Sequence, residues 1–282
     1  MSRRTSEITN GIAKIYLALV LLFLYVPIFT MAAMAFNRSP LYELPFQFDL
    51  IWFESLMSND RLLRAGSNSL IIAVINTVIA TVLGTAASLA FARYQFRGRT
   101  LMQLLLLPPI TIPWLVIGTA MLVFFFWIAN VPAVAETCRA ILPAAYCAPR
   151  SKITILLGHV ALSLPYVIIV VSARLADFPK SVEEAAATLG ATPWQTFWRV
   201  SMPIIAPGMV AAALFAFATS FDQFVISYFL APPGVTTLPV EIYTAIRKAF
   251  TPEINAISTI IIVVSMGIML ITARFYKFGG ER

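Results

Sequence analysis

Residues 153–173 read ITILLGHVALSLPYVIIVVSA, a run without one Asp, Glu, Lys or Arg. About 20 such residues in a helix cover the roughly 30 Å of hydrocarbon in a bilayer. The stretch is therefore predicted to cross a membrane. Outward from it, further apolar runs lie near 15–36, 68–92, 101–128, 204–231 and 255–273. Of all six, only 204–231 holds a formal charge, Asp222. The expectation is an all-α membrane protein with six transmembrane helices in a single domain over 1–282.

Composition agrees with that reading. Apolar residues make up 60% of the chain and charged residues 12%, against roughly 45–50% and 25% in soluble domains. A soluble globule and a disordered chain are excluded, and two cysteines build no disulfide framework. The first apolar run follows Ser2-Arg3-Arg4 and ends near Ala33-Met34-Ala35, in the manner of a signal peptide. It is longer than a signal core of about 7 to 15 residues, so an uncleaved helix is expected.

The net charge of +7 is a matter of placement. Arg3 to Lys14, Arg93 to Arg99, Arg174 to Arg199 and Arg274 to Arg282 together hold 12 basic and 5 acidic residues. The alternate loops hold 8 and 7. Lys and Arg in short flanking loops resist translocation, so both termini are expected in the cytoplasm and no nucleic-acid partner is implied. Proline occurs inside several spans (Pro27, Pro108, Pro109, Pro113, Pro165 and Pro207). It removes a helical hydrogen bond, so kinks or breaks are expected, above all where three fall in the third span.

Several chemistries are missing. One histidine, His159, cannot assemble a metal or haem set, and no Gly-Lys pair exists for a P-loop. Any nucleotide energy must come from a partner. His159 with Ser163 one helical turn on would be the dyad of an intramembrane protease; the alternative is a histidine that packs or bonds between helices. Cys138 and Cys147 lie in an outer loop where a disulfide is permitted, two free thiols being the other reading.

Downstream of the opening stretch, residues 177–203 read DFPKSVEEAAATLGATPWQTFWRVSMP. Ser181 with Glu184 is a capping box, Ala185 to Leu189 favour helix, and Gly190 suits a helix C-terminus. Thr192, Pro193 and Gln195 then start a second helix, which Pro203 stops. Leu189, Trp194, Phe197 and Trp198 give this pair an apolar face, suited to a partner protein or to lipid headgroups.

Glu184-Ala185-Ala186, Gly190 and Val200-Ser201-Met202-Pro203 resemble the EAA loop of ABC-transporter permease subunits. Asn68-Ser69-Leu70, Arg93-Tyr94-Gln95-Phe96-Arg97-Gly98, Leu164-Pro165-Tyr166 and Ser220-Phe221-Asp222-Gln223-Phe224 extend the likeness to the spermidine/putrescine permeases, chiefly the second permease of that group. So do Leu238 to Tyr243 and Pro252 to Ala256, although Gln223 stands where a second acid is common. The resemblance implies a type I ABC importer permease without its own ATPase site, in a bacterial inner membrane. It further implies a partner ATPase dimer binding ATP and magnesium, a second related permease and a periplasmic solute-binding protein. Glu184, Ala185, Ala186 and Gly190 would couple to the ATPase.

A charge within a span costs several kcal/mol in lipid, so Asp222 should face a protein interior or a water-filled path. Beside it Phe221, Gln223 and Tyr228, with Trp114 and Tyr166, could line a cation path; the other reading is a carboxylate paired for assembly. The alternative function is an ion-coupled secondary transporter using Asp222. An internal inverted repeat, expected of many such carriers, is not visible.

Overall fold

The computed structural model describes residues 2–40, 43–106, 108–248 and 252–278. Leu107 of the third predicted span and Gly279 to Arg282 of the last basic segment lie outside them. Among the described residues the secondary structure is helical, apart from one isolated bridge between Asn37 and Phe48. The chain falls into two compact units, residues 1–63 with 244–264 and residues 64–243 with 265–282.

In the first unit, α1 (Ser2–Met34) presents its apolar stretch Ala13–Met34 with none of it buried among the described residues. A surface this apolar requires lipid or another subunit around it. A turn follows, organised by buried Asn37: its Nδ2 donates to Glu43 O, its Oδ1 accepts from Gln47 N, and its O accepts from Trp52 Nε1 of α2 (Ile51–Ser58). Glu253 accepts from Ser55 Oγ and from Asn59 Nδ2.

The second unit is a helix bundle. α3 (Asp60–Arg93) enters it, followed by α4 (Arg99–Leu104), α5 (Pro108–Thr111), α6 (Trp114–Ala129) and the short α7 (Pro132–Ile141). The third predicted span breaks where its prolines fall: Pro113 is the extended residue before α6, and the two halves diverge by 113°. α8 (Lys152–Ala176) starts on a capping box of Ser151 and Thr154 and runs through buried Pro165. α9 (Lys180–Thr188) and α10 (Pro193–Thr196) follow. A π-helical segment, Phe197–Ser201, leads directly into α11 (Met202–Phe221). α12 (Val225–Leu230), α13 (Leu238–Lys248) and α14 (Glu253–Phe278) complete the chain.

Among the described residues four helices are long and apolar enough to cross a bilayer, or five if the bent pair around Pro113 counts as one span. One of the six expectations changes. The last apolar run, 255–273, lies within the helix α14. The fifth is split: helix begins upstream at Pro193, and Pro203 does not stop it but lies where the π-helical segment passes into α11. It ends at Phe221, well short of 231.

The core of this unit lies along α8, which packs most extensively against α11. Val167, Val171 and Leu175 of α8 meet Ile205, Ala212 and Ala216 of α11 and Ala80 of α3. A second cluster joins Ile155 and Leu162 to Ile226 and Leu230 of α12. Lipid tails provide no hydrophobic drive between helices, so close backbone approach and interhelical hydrogen bonds hold such bundles. Both occur here. Asn76 of α3 donates to Ser163 Oγ at 3.0 Å and Ala216 O at 3.2 Å, joining three helices, and Ser88 Oγ donates to Ile168 O at 3.1 Å.

Gly158 lets α12 seat against α8, because a Cβ there would lie 2.5 Å from Ile226. Gly158→Val is expected to lower stability by about 1–3 kcal/mol through overpacking. The check is a lowered unfolding midpoint in mild detergent, with Gly66→Ala, where a Cβ meets nothing within 4 Å, as the neutral comparison.

Candidate functional site

The surface pair α9 and α10 is built from local signals. The first helix starts one residue after Pro179, which is extended and makes no side-chain cap, so the predicted Ser181 and Glu184 capping box is not formed. Proline presets the backbone for a helix start and places Ser181 already inside the first turn. The end of α9 follows expectation. Gly190, with φ of +85°, donates to Ala187 O while Ala191 donates to Ala186 O, which satisfies two orphan carbonyls of the helix. Thr192 and Gln195 then cap α10 reciprocally, with Pro193 in its first turn.

The face this produces is apolar and open. Leu189 is 89% and Trp194 70% exposed, and the rings of Trp194, Phe197 and Trp198 pack together with centroids 5.1–6.2 Å apart. Glu184 is exposed and only 3.7 Å from Lys180, a solvated helix pair worth a few tenths of a kcal/mol. Ala185 is exposed, Ala186 half-buried and Gly190 exposed. These four predicted coupling residues thus share one small surface. The neighbouring Glu183, which sequence reasoning missed, turns inward to Arg93 and Ser201.

A second region surrounds Asp222. The aspartate is not inside a helix, as expected, but caps the C-terminus of α11 at a break over Asp222-Gln223-Phe224. Among the described residues Asp222 is exposed and forms no ion pair. Gln223 is buried; its Oε1 accepts from Val225 N and its Nε2 has no partner among the described residues. Phe224, Tyr228 and Tyr243 cluster with centroids 4.7–6.3 Å apart, and Tyr228 is exposed. Phe221 stacks on Phe217, and Tyr166 packs on Phe215 at 5.1 Å.

The break is held by His159. Its Nδ1 lies 2.8 Å from Ser220 Oγ and its Nε2 3.0 Å from Ser227 Oγ, one on either side of the break, and the ring is buried. Seven residues along a continuous helix would separate those serines by about 10 Å; the interruption lets one imidazole reach both. The predicted dyad with Ser163 is therefore replaced: Ser163 accepts from Asn76, and His159 is committed to two other serines. The serine pair flanking Asp222 was the available signal. At the far loop, Cys138 of α7 and Cys147 are joined, with Cα atoms 5.8 Å apart.

Residues 80–279 match the binding-protein-dependent transport system inner membrane component family, and the chain belongs to it. It is thus a permease component of an importer. The putrescine transport system permease protein PotI of Escherichia coli (strain K12) is 33% identical over 85% of this chain and 82% of its own. The spermidine/putrescine transport system permease protein PotC of the same strain is 29% identical over 92% and 91%. In fold, the chain is similar to a crystal structure of a bacterial ABC transporter involved in the import of the acidic polysaccharide alginate, with TM-score 0.73, 17% identity and coverage of 98% and 96%. These likenesses favour the importer over the ion-coupled carrier.

The two serine contacts of His159 predict strong energetic coupling. In double-mutant cycles of unfolding in detergent, His159→Ala should couple to Ser220→Ala by about 0.5–3 kcal/mol, and to Ser163→Ala by much less. The reverse order would restore the dyad.

Proposed function

We propose that this chain forms half of the translocation path of an ATP-driven importer for small organic cations of the polyamine type. Two partner ATPase subunits, binding ATP and magnesium, dock on the surface of Glu184, Ala185, Ala186, Leu189, Gly190 and Trp194. A second, related permease completes the path, and a periplasmic solute-binding protein delivers the substrate. Both termini lie in the cytoplasm, which puts the α9–α10 face on the side where ATP is found.

The observation that carries the substrate reading is the exposed carboxylate of Asp222 at a helix break, followed by the ring cluster of Phe224, Tyr228 and Tyr243. A carboxylate gives an ammonium a charged acceptor, and ring faces attract it without competing for its hydrogen bonds. The Nε2 of Gln223, without a partner among the described residues, adds a polar group at the same turn. Broken helices at membrane depth commonly line solute sites because their free backbone groups need polar company. The two E. coli relatives are named for the transport of putrescine and spermidine, cations of this kind.

The importer, purified with its partners and reconstituted in proteoliposomes, should take up putrescine when ATP is enclosed on the α9 side. Asp222→Asn is expected to reduce uptake at limiting substrate by about 10- to 100-fold, the loss of one charge-assisted contact. Asp222→Glu should retain most of it. Wild-type uptake of an anion in place of diamines, or an Asp222→Asn variant at full rate, would refute the substrate reading.

A further inference from the structure

Adjacent glutamates of α9 face opposite ways. Glu184 points to solvent, whereas the side chain of Glu183 is 18% exposed and spends both carboxylate oxygens inside the protein. Its Oε2 lies 2.8 Å from Nε of Arg93, the last residue of α3, and its Oε1 accepts from Ser201 Oγ at 2.7 Å. Ser201, itself buried, ends the π-helical segment that leads into α11.

Arg93 is equally committed. Its Nη2 donates to Phe178 O at 3.4 Å, and its guanidinium lies 5.1 Å from the centre of the Phe178 ring. Phe178 is buried in the cluster formed by α3, α8 and α11. One ion pair therefore ties four pieces of chain: the end of α3, the link after α8, α9, and the start of α11. A carboxylate shared between a cation and a hydroxyl holds α9 to both, by charge on one side and by a hydrogen bond on the other. The exposed Glu184 to Lys180 pair stays within α9.

We propose that the Arg93–Glu183–Ser201 junction transmits movement of the α9–α10 surface to α3 and α11, and so sets how much solute is moved per ATP hydrolysed. This rests on the reading of that surface as the ATPase dock. The π-helical segment is part of the same device. A wide turn between surface helix and membrane helix is a place where the ladder can re-register, and π-bulges are found often at functional sites. Ser201 holds the far edge of that turn to Glu183, so a push on α9 reaches α11 through a hydrogen bond as well as through the chain. Glu183 and Arg93 are thus positioning residues, distant from Asp222 in sequence and in role.

The test uses the complete importer in proteoliposomes and compares Arg93→Gln, Glu183→Gln, Ser201→Ala and the exchange Arg93→Glu with Glu183→Arg. Three quantities are read together: ATPase subunit retained on purification, ATP hydrolysis, and solute uptake. Glu183→Gln and Arg93→Gln should keep the ATPase and its hydrolysis while uptake per ATP falls about fivefold or more, the lower end of measured coupling between sites. Ser201→Ala, neutral and small, should give a smaller loss of the same ratio, and the exchange should recover most of it. An unchanged uptake-to-hydrolysis ratio in all three single variants would overturn the proposal. So would an exchange variant that assembles but recovers nothing. If the charge variants fail to assemble, the ratio in Ser201→Ala decides, a normal value counting against the junction. A wild-type protein that carries no ATPase at all would defeat the docking reading instead.

Discussion

A polar group at membrane depth is costly without a partner inside the protein, because hydrocarbon offers none. That constraint organises the larger unit of this chain. Asn76 reaches both α8 and α11, Ser88 crosses from α3 to α8, and His159 uses both ring nitrogens on serines from two helices. Such bonds average about 0.6 kcal/mol in membrane proteins and reach 1–2, so no single one holds the bundle. Their value lies in direction: each constrains how the helices meet. Apolar packing along α8, close enough that Gly84 and Gly158 admit no side chain, does the rest.

The same constraint makes the interruption at Asp222 tolerable. A helix that ends within an apolar run exposes carbonyls and amides, and here the neighbouring serines are fixed from the side by an imidazole instead of by a continuous ladder. The break turns a carboxylate outward that a continuous helix would have to bury or pair. At the other end of α11 the arrangement is opposite. There the helix gains residues through a π-helical turn, and the surface helices are fastened to the bundle by Arg93 and Glu183. One end of α11 meets an exposed carboxylate and the other is clamped toward the surface pair, with the buried α8–α11 seam between them.

Much of this was legible where the signal was local. Uncharged runs marked the helices, Pro108, Pro109 and Pro113 marked the broken third span, and Gly190 with Thr192, Pro193 and Gln195 marked the turn and the second surface helix. Two local signals misled. Ser181 and Glu184 fit a capping box, yet Pro179 starts the helix earlier. The run 204–231 has no Pro or Gly between Gly208 and Pro232 to show its interruption, and hydropathy alone cannot separate one helix from two. The remaining misses are pairings across sequence. Nothing in the composition of Arg93 to Arg99 says that its first arginine meets Glu183 and not Glu184, and only the packing of α8 decides that His159 faces Ser220 and Ser227.

The docking role of the α9–α10 surface is the claim on which coupling, partners and direction all depend. Gly190 isolates it: with φ of +85° and no atom within 4 Å of a Cβ, a β-branched residue there strains the turn without crowding anything. The decisive measurement is mass spectrometry of proteins retained when tagged wild type and Gly190→Val are purified in mild detergent from native membranes. Wild type should carry an ATPase subunit and a second permease, and Gly190→Val should keep the permease while losing most of the ATPase. Wild type without an ATPase, or equal ATPase on both, would contradict the account.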